Sequence, residues 1–409
     1  MTDPLATDGP AAEPLGLYVH WPFCRAKCPY CDFNSHVSDS VDHGLWRDRL
    51  VRELETLAPR VGGGRASPRR LVSIFFGGGT PSLMEPETVS AVIEAARKLF
   101  RFNNDIEITL EANPTSVESA KMVAFRAAGI TRVSLGVQAM DDSALRFLGR
   151  EHSAAEALGA LDAVRAQFDN VSFDLIYARP GQSTADWIAE LRRAVALDPS
   201  HLSLYQLTIE PTTPFYARHA RGEFALPDED GAADLYEATQ DLLGAAGLPA
   251  YEVSNHARAD HACRHNLVYW RYQDYLGVGP GAHGRLSSGV PGAAKTATRG
   301  HRAPAIWLDR VERDGHALVD DEPIPAEEML TEAVLMGLRI EEGLTAARFR
   351  HLFGAEPAAL FEAPALDTLI RGGFLDIDGG DIRATPAGRA RLDAVTGHLL
   401  QHTVPGATG

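Results

Sequence analysis

Six short apolar runs alternate with segments of helical character along the first half of this chain: Gly16 to Trp21, Leu71 to Phe76, Ile106 to Glu111, Arg132 to Gln138, Val171 to Tyr177 and His201 to Ile209. In the segment Pro86 to Phe100, Val89, Val92, Ile93, Ala96, Leu99 and Phe100 recur at the spacing that puts them on one helical face. A strand, a helical crossover and a further strand form a right-handed βαβ unit. Six strands joined in this way predict an open, partial (β/α)6 TIM-like barrel of parallel strands, an α/β fold. Punctuation agrees: Thr115 with Glu118 and Ser153 with Glu156 read as capping boxes, and Gly129 reads as a helix stop. Gly62-Gly63-Gly64 and the Arg/Pro-rich stretch after it read as a surface loop. In a barrel of this kind chemistry gathers at the carboxyl ends of the strands.

The first strand ends in a C-x3-C-x2-C array, Cys24, Cys28 and Cys31, which uses three of the chain's four cysteines. Pro22 stops the ladder and Pro29 keeps the segment from becoming a regular helix, so the thiols belong to a loop. Arg25 and Lys27 are expected to lend that loop a positive field and lower the thiol pKa values. A closed zinc site needs four ligands, and the fourth cysteine, Cys263, is remote in sequence. A disulfide framework suits neither an odd trio nor a long chain without a secretion signal. Three local thiolates suit an iron-sulfur cluster with one open iron.

Other marked residues fall at strand ends. Gly77-Gly78-Gly79-Thr80-Pro81 follows the second strand, where glycine lets a ligand approach the backbone. The turn lacks the context of a Walker or dinucleotide loop. Glu111 and Gln138 end the third and fourth strands. Asp174 lies in the fifth among Phe173, Leu175 and Ile176, where a carboxylate needs a partner. A second polar region, Tyr251 to Gly284, holds His256, His261, Cys263, His265 and His283, at spacings that match no common zinc pattern.

The cysteine array, with Tyr30 just before its third cysteine, resembles the signature of the radical S-adenosylmethionine (SAM) enzymes. The runs LYVHWPFCRAKCPYCDFNSH, FFGGGTPSLM, LEANPTS, RVSLGVQ, LGREH, FDLIYARPGQ, LSLYQLTIEP, HNLVYW and YLGVGPGAHG together resemble the coproporphyrinogen III dehydrogenase-like group, most nearly its HemW-type haem chaperones. The resemblance runs from about Leu15 to His283, with a weaker C-terminal echo. It implies that Cys24, Cys28 and Cys31 hold a 4Fe-4S cluster whose fourth iron is chelated by SAM. It further implies SAM contacts for Tyr18, Gly78, Gly79, Thr80, Glu111, Gln138, Arg150 and Asp174, in one or two sites. His265 and Trp270, in the H-N-x-x-Y-W element, would contact haem, with Arg264 or Arg271 on its propionates. At two positions the pattern differs. Ala178-Arg179-Pro180 stands where the family is expected to have Gly-Leu-Pro, and Phe33 stands where the decarboxylating dehydrogenases carry a further cysteine.

With 409 residues, 45% of them hydrophobic, the chain can bury a large core. The expected division is a disordered N-terminus (1–14), the barrel (15–245), an extension with the haem-linked motif (246–302), a helical, winged-helix-like domain (303–402) and a frayed tail (403–409). A formal net charge of −16 argues against a nucleic-acid partner. No run has the length and apolarity of a transmembrane segment, which with the oxygen-sensitive cluster points to the cytoplasm. The expected function is a haem chaperone that delivers haem to an acceptor protein. Two alternatives stay open: an oxygen-independent coproporphyrinogen III dehydrogenase and, more remotely, a radical SAM modifier of tRNA. An electron donor of the flavodoxin or ferredoxin kind would serve the cluster, and no residue is assigned a catalytic role.

Overall fold

The computed structural model describes residues 13–38, 40–64, 68–115, 120–288 and 292–406. Glu118, and with it the capping box expected at Thr115, lies outside them, as do residues 1–12 and 407–409.

The expected strands all form: β1 (Leu15–Trp21), β2 (Arg70–Gly78), β3 (Arg101–Ala112), β4 (Arg132–Gln138), β5 (Asn170–Tyr177) and β6 (His201–Gln206). They pair in parallel in that order. β1 is central, with Leu15, Leu17, Val19 and Trp21 fully buried, as a strand covered on both faces requires. Helix Pro86–Leu99 buries Val89, Val92, Ile93 and Ala96 and ends one residue before Phe100. The Ser153/Glu156 capping box is formed, and Gly129 closes its helix in the left-handed conformation at φ 110°.

Beyond these six, the sheet continues on both sides to eleven described strands. Short β7 (Asn255–Ala257) runs antiparallel to β6. On the other edge, β8 (Asp274–Val278) lies parallel to β1 and is followed by the antiparallel strands β9 (His283–Leu286), β10 (Thr296–Gly300) and β11 (Leu318–Pro323). The extension is therefore part of the barrel sheet.

Two large apolar cores result. The first fills the barrel and also takes Trp307, Val311 and Ala317. The second spans Ile324 to Leu399 and adds Tyr272 from the barrel side. The helical domain expected from residue 303 thus begins in its packing near 324, because helix Pro304–Asp314 buries its apolar face on the barrel. In the second core, helices Ala326–Gly337 and Ala363–Arg371 pack with a small hairpin, β12 (Leu375–Asp378) and β13 (Asp381–Ala384). Its two-residue turn, Gly379-Gly380, has φ of 60° and 92°, the positive values a tight hairpin turn demands. This is the wing expected from the sequence.

Candidate functional site

The cysteine loop is fixed at several points. Phe215 donates its backbone N–H to the carbonyl of Pro29 at 2.9 Å, and Tyr30 packs on an apolar cluster that includes Leu145, Ile176 and Phe215. Gly149 is a glycine for a local reason: a Cβ there would come within 2.5 Å of Pro29. Cys24, Cys28 and Cys31 remain half-buried. Each sulfur has a polar neighbour. Thr80 Oγ1 donates to Cys24 at 3.5 Å, Arg150 Nη1 donates to Cys28 at 3.4 Å, and Ser35 Oγ lies 4.0 Å from Cys31.

Burial, the largest influence, pushes the thiols of Cys24 and Cys31 up, against the expectation from Arg25 and Lys27. Lys27 lowers Cys31 only as a minor effect, since its ammonium turns to the carbonyls of Phe33 and Ser35 at 3.5 and 3.4 Å. A metal bound by these sulfurs would displace the thiol protons. Cys263 is buried and donates to Glu107 at 3.4 Å, so it takes no part in the loop. Among the described residues no three or more His, Cys, Asp or Glu side chains converge on a single-ion position. A cubane cluster asks for something else, one thiolate on each of three irons, and the loop has three accessible sulfurs with donors beside them.

The Gly77–Thr80 turn lies directly under this loop. Gly79 N–H donates to Trp21 O at 2.7 Å, and Thr80 N–H to Phe23 O at 2.8 Å. A Cβ at Gly78, where φ is 114°, would lie 2.6 Å from His20, and one at Gly79 would lie 2.6 Å from the Phe23 carbonyl. These glycines thus admit the chain's own first strand and loop, a reason the ligand-approach argument had not supplied.

The other marked residues surround the mouth. Glu111 Oε2 accepts from Gly78 N–H at 3.2 Å. Burial first, then repulsion from Asp174, pushes Glu111 up to about 8, and burial likewise pushes Asp174 up to about 6, partly offset by donors such as Ser134 at 3.2 Å. Gln138 adopts a positive φ of 69°, an uncommon conformation outside glycine that turns the chain at the end of β4. Arg150 is held by Asn113, Gly136 O and Cys28, so it ties the cysteine loop to the barrel. Asn113 also donates to Thr80 Oγ1 at 3.0 Å, which makes it a hub that no single-residue reading picked out. Tyr18 donates to His20 Nδ1 at 3.0 Å. The assignment follows because His20 Nε2 faces the Asn34 carbonyl at 2.9 Å, and a carbonyl only accepts.

Two cavities open here. One of about 1090 Å³ is lined by Tyr30, Cys31, Glu111, Gln138 and Asp174, and its far wall is Arg339 with Arg389 to Ala394 from the second core. The other, about 620 Å³, is lined by Tyr18, His20, Glu111, Tyr269, Trp270 and His283, among others. Asp32, Phe33 and Glu111 line both. Both volumes are of ligand size.

The H-N-x-x-Y-W element forms helix Arg264–Trp270 against β1 and β2. It does not present all its residues alike. Tyr269 and Trp270 line the smaller cavity, whereas His265, only 1% exposed, lies behind it. His265 Nδ1 pairs with Ser73 Oγ at 2.9 Å and Nε2 with the Tyr269 hydroxyl at 2.7 Å, while its ring stacks on Phe75 at 5.0 Å. Burial pushes this imidazole down to about 3, so it stays neutral. The arginines expected at propionates are turned elsewhere: Arg264 pairs with Asp105 at 2.9 Å and Arg271 with Glu342. Instead, Arg339 stacks its guanidinium 4.6 Å from the Trp270 ring centroid and pairs with buried Glu252 at 2.9 Å. The second core is thereby clamped onto this helix.

The departure at 178 is accommodated with strain. Ala178 sits at φ 56°, where glycine is the usual residue, and Arg179 is buried in an ion pair with Glu190.

Comparison with known proteins places these residues in context. The Radical SAM superfamily pattern matches residues 18–194, and the HemN C-terminal domain pattern matches residues 324–391. The chain is 38% identical over 402 residues to the Bos taurus protein named radical S-adenosyl methionine domain-containing protein 1, mitochondrial, across 96% of this chain and 88% of that one. It is 37% identical to a protein of Haemophilus influenzae named heme chaperone HemW, across 86% and 89% of the two chains. For a protein of the same name from Mycobacterium tuberculosis the identity is 36%, across 95% of both. The fold matches the solved coproporphyrinogen III oxidase HemN of Escherichia coli with a TM-score of 0.77 at 24% identity, across 96% of this chain and 91% of that one.

Proposed function

The chain belongs to the radical SAM family of HemW-type haem chaperones, and from that membership we propose that it binds haem and passes it to an acceptor protein. The observation that carries this reading is the reach of the likeness: proteins named heme chaperones match across 86% and 95% of the chain. Cys24, Cys28 and Cys31 are the residues we assign to a 4Fe-4S cluster, on the strength of their accessible sulfurs and the donors from Thr80 and Arg150. With SAM on its open iron, such a cluster supplies one-electron cleavage chemistry. Tyr18, Gly78, Gly79, Thr80, Glu111, Gln138, Arg150 and Asp174 are assigned to the SAM side. Of these, Glu111 has the clearest call for a ligand, since its buried carboxyl accepts from Gly78 N–H at 3.2 Å and a ribose hydroxyl would supply a further donor.

Trp270 and Tyr269 are assigned to the haem side. In this reading His265 is a positioning residue that aims the Tyr269 hydroxyl and holds the helix on Ser73. No helix among the described residues is long and apolar enough to cross a membrane. We place the protein in the reducing cytoplasm, where unpaired cysteines and an iron-sulfur cluster survive, with a flavodoxin- or ferredoxin-like protein as electron donor.

The second reading, oxygen-independent coproporphyrinogen III dehydrogenase, draws on the fold shared with HemN. Phe33 in place of a further cysteine weighs against it. The deciding experiment is anaerobic incubation of cluster-reconstituted protein with reductant, SAM and coproporphyrinogen III, beside a haem titration. Stoichiometric haem binding without protoporphyrinogen supports the carrier. Catalytic decarboxylation would overturn it.

A further inference from the structure

We propose that haem occupies the smaller cavity with a propionate carboxylate on Arg302 and its macrocycle against Phe33. The proposal rests on the carrier reading and gives its cargo a site.

Three guanidiniums line the cavity, in different electrostatic states. Arg285 is neutralised by Glu332 at 2.7 Å, and Arg299 by Asp320 at 2.5 Å. Arg302 has no carboxylate partner among the described residues and is exposed. Its backbone is nevertheless fixed, because Asn34 Nδ2 donates to its carbonyl at 3.0 Å and to Pro280 O at 2.9 Å. The result is an uncompensated cation on an anchored stem at the mouth of a cavity, which suits a carboxylate on the occupant.

The opposite requirement, a flat apolar body, comes from Phe33. Phe33 is 59% exposed, an unfavourable state for a residue with a phenyl group, and it lines both cavities. Tyr269, Trp270 and Tyr275 complete an aromatic wall, while Tyr18, Gly78 and Glu111, which also line this cavity, stay with SAM. A ligand that covers this wall and ends in carboxylates is a porphyrin with propionates. Asn34 joins the two ends of the argument: it follows Phe33 in sequence and holds Arg302, so the cluster loop and the carboxylate anchor are mechanically coupled.

The test compares haem with haem dimethyl ester, which keeps the macrocycle and iron and removes both carboxylate charges. Full-length, cluster-reconstituted wild type, Arg302→Gln and Phe33→Ala are titrated with each. Wild type is expected to prefer the free acid about tenfold, the worth of one charge-assisted contact at an exposed group. Arg302→Gln should bind the two porphyrins equally, and Phe33→Ala should weaken both while keeping the ratio. An undiminished preference in Arg302→Gln, or unchanged affinities in Phe33→Ala, would overturn the assignment while leaving the carrier reading intact. Displacement of haem by saturating SAM would put SAM in this cavity and overturn it too. Wild type that binds neither porphyrin would overturn both the assignment and the carrier reading.

Discussion

β1 carries two polar regions in opposite states. Its exit leads into the cysteine loop and the mouth around Glu111 and Asp174, where sulfurs are half-exposed and two carboxyls are pushed up to about 8 and about 6. Near its start, Gly16 leaves room for the ring of His265, whose two nitrogens are both engaged. Both regions contain residues that a motif reading marks as functional. The mouth keeps two buried carboxyls whose pKa values are pushed up, whereas the His265 relay is hydrogen-bonded at both nitrogens. Residue identity alone does not separate these cases; satisfaction of hydrogen bonds does.

The comparison is broken most severely at the loop. Cys24→Ala, Cys28→Ala and Cys31→Ala should each abolish the visible absorption of the reconstituted cluster, while thermal unfolding of the cluster-free protein changes little because the thiols are half-exposed. On the other side, His265→Ala should cost about 3 kcal/mol in denaturant unfolding, since it opens a void and strands the hydroxyls of Ser73 and Tyr269. A loss under about 1 kcal/mol would mean that the relay is not structural.

A pH series sharpens the contrast at Glu111. Its folded pKa of about 8 lies above the ordinary 4.5, so between those values the folded state binds the extra proton. Stability of the ligand-free protein should therefore fall as pH rises from about 4.5 to about 8, and Glu111→Gln should flatten that part of the profile. A parallel profile in the variant would remove Glu111 from the account. The smallest effect is at the strained turn: Ala178→Gly relieves a left-handed alanine and should raise stability by about 1 kcal/mol, without change in cluster content.

Much of the barrel was legible because its six strands are continuous apolar runs and its helices carry regular faces and caps. β8 to β11 were not, since they are short, rich in glycine or polar residues, and form by adding to the edge of an existing sheet. The same applies to helix Pro304–Asp314, whose pattern gives its face but not the core that receives it. At the site, spacing made the cysteine loop readable, and LEANPTS contained Asn113 without revealing it as the link between Thr80 and Arg150. Arg302 had no local signal at all. Its meaning comes from the lack of a salt-bridge partner among the described residues while Arg285 and Arg299 each have one, a property of three-dimensional neighbours.

The role of His265 is tested most directly by the electronic spectrum of bound haem in wild type, His265→Ala and Tyr269→Phe. If the imidazole only aims Tyr269, all three complexes should share one Soret position, and the affinity lost in His265→Ala should be matched by Tyr269→Phe. A Soret band that shifts in His265→Ala alone, with Tyr269→Phe indistinguishable from wild type, would make His265 an iron ligand and contradict the account.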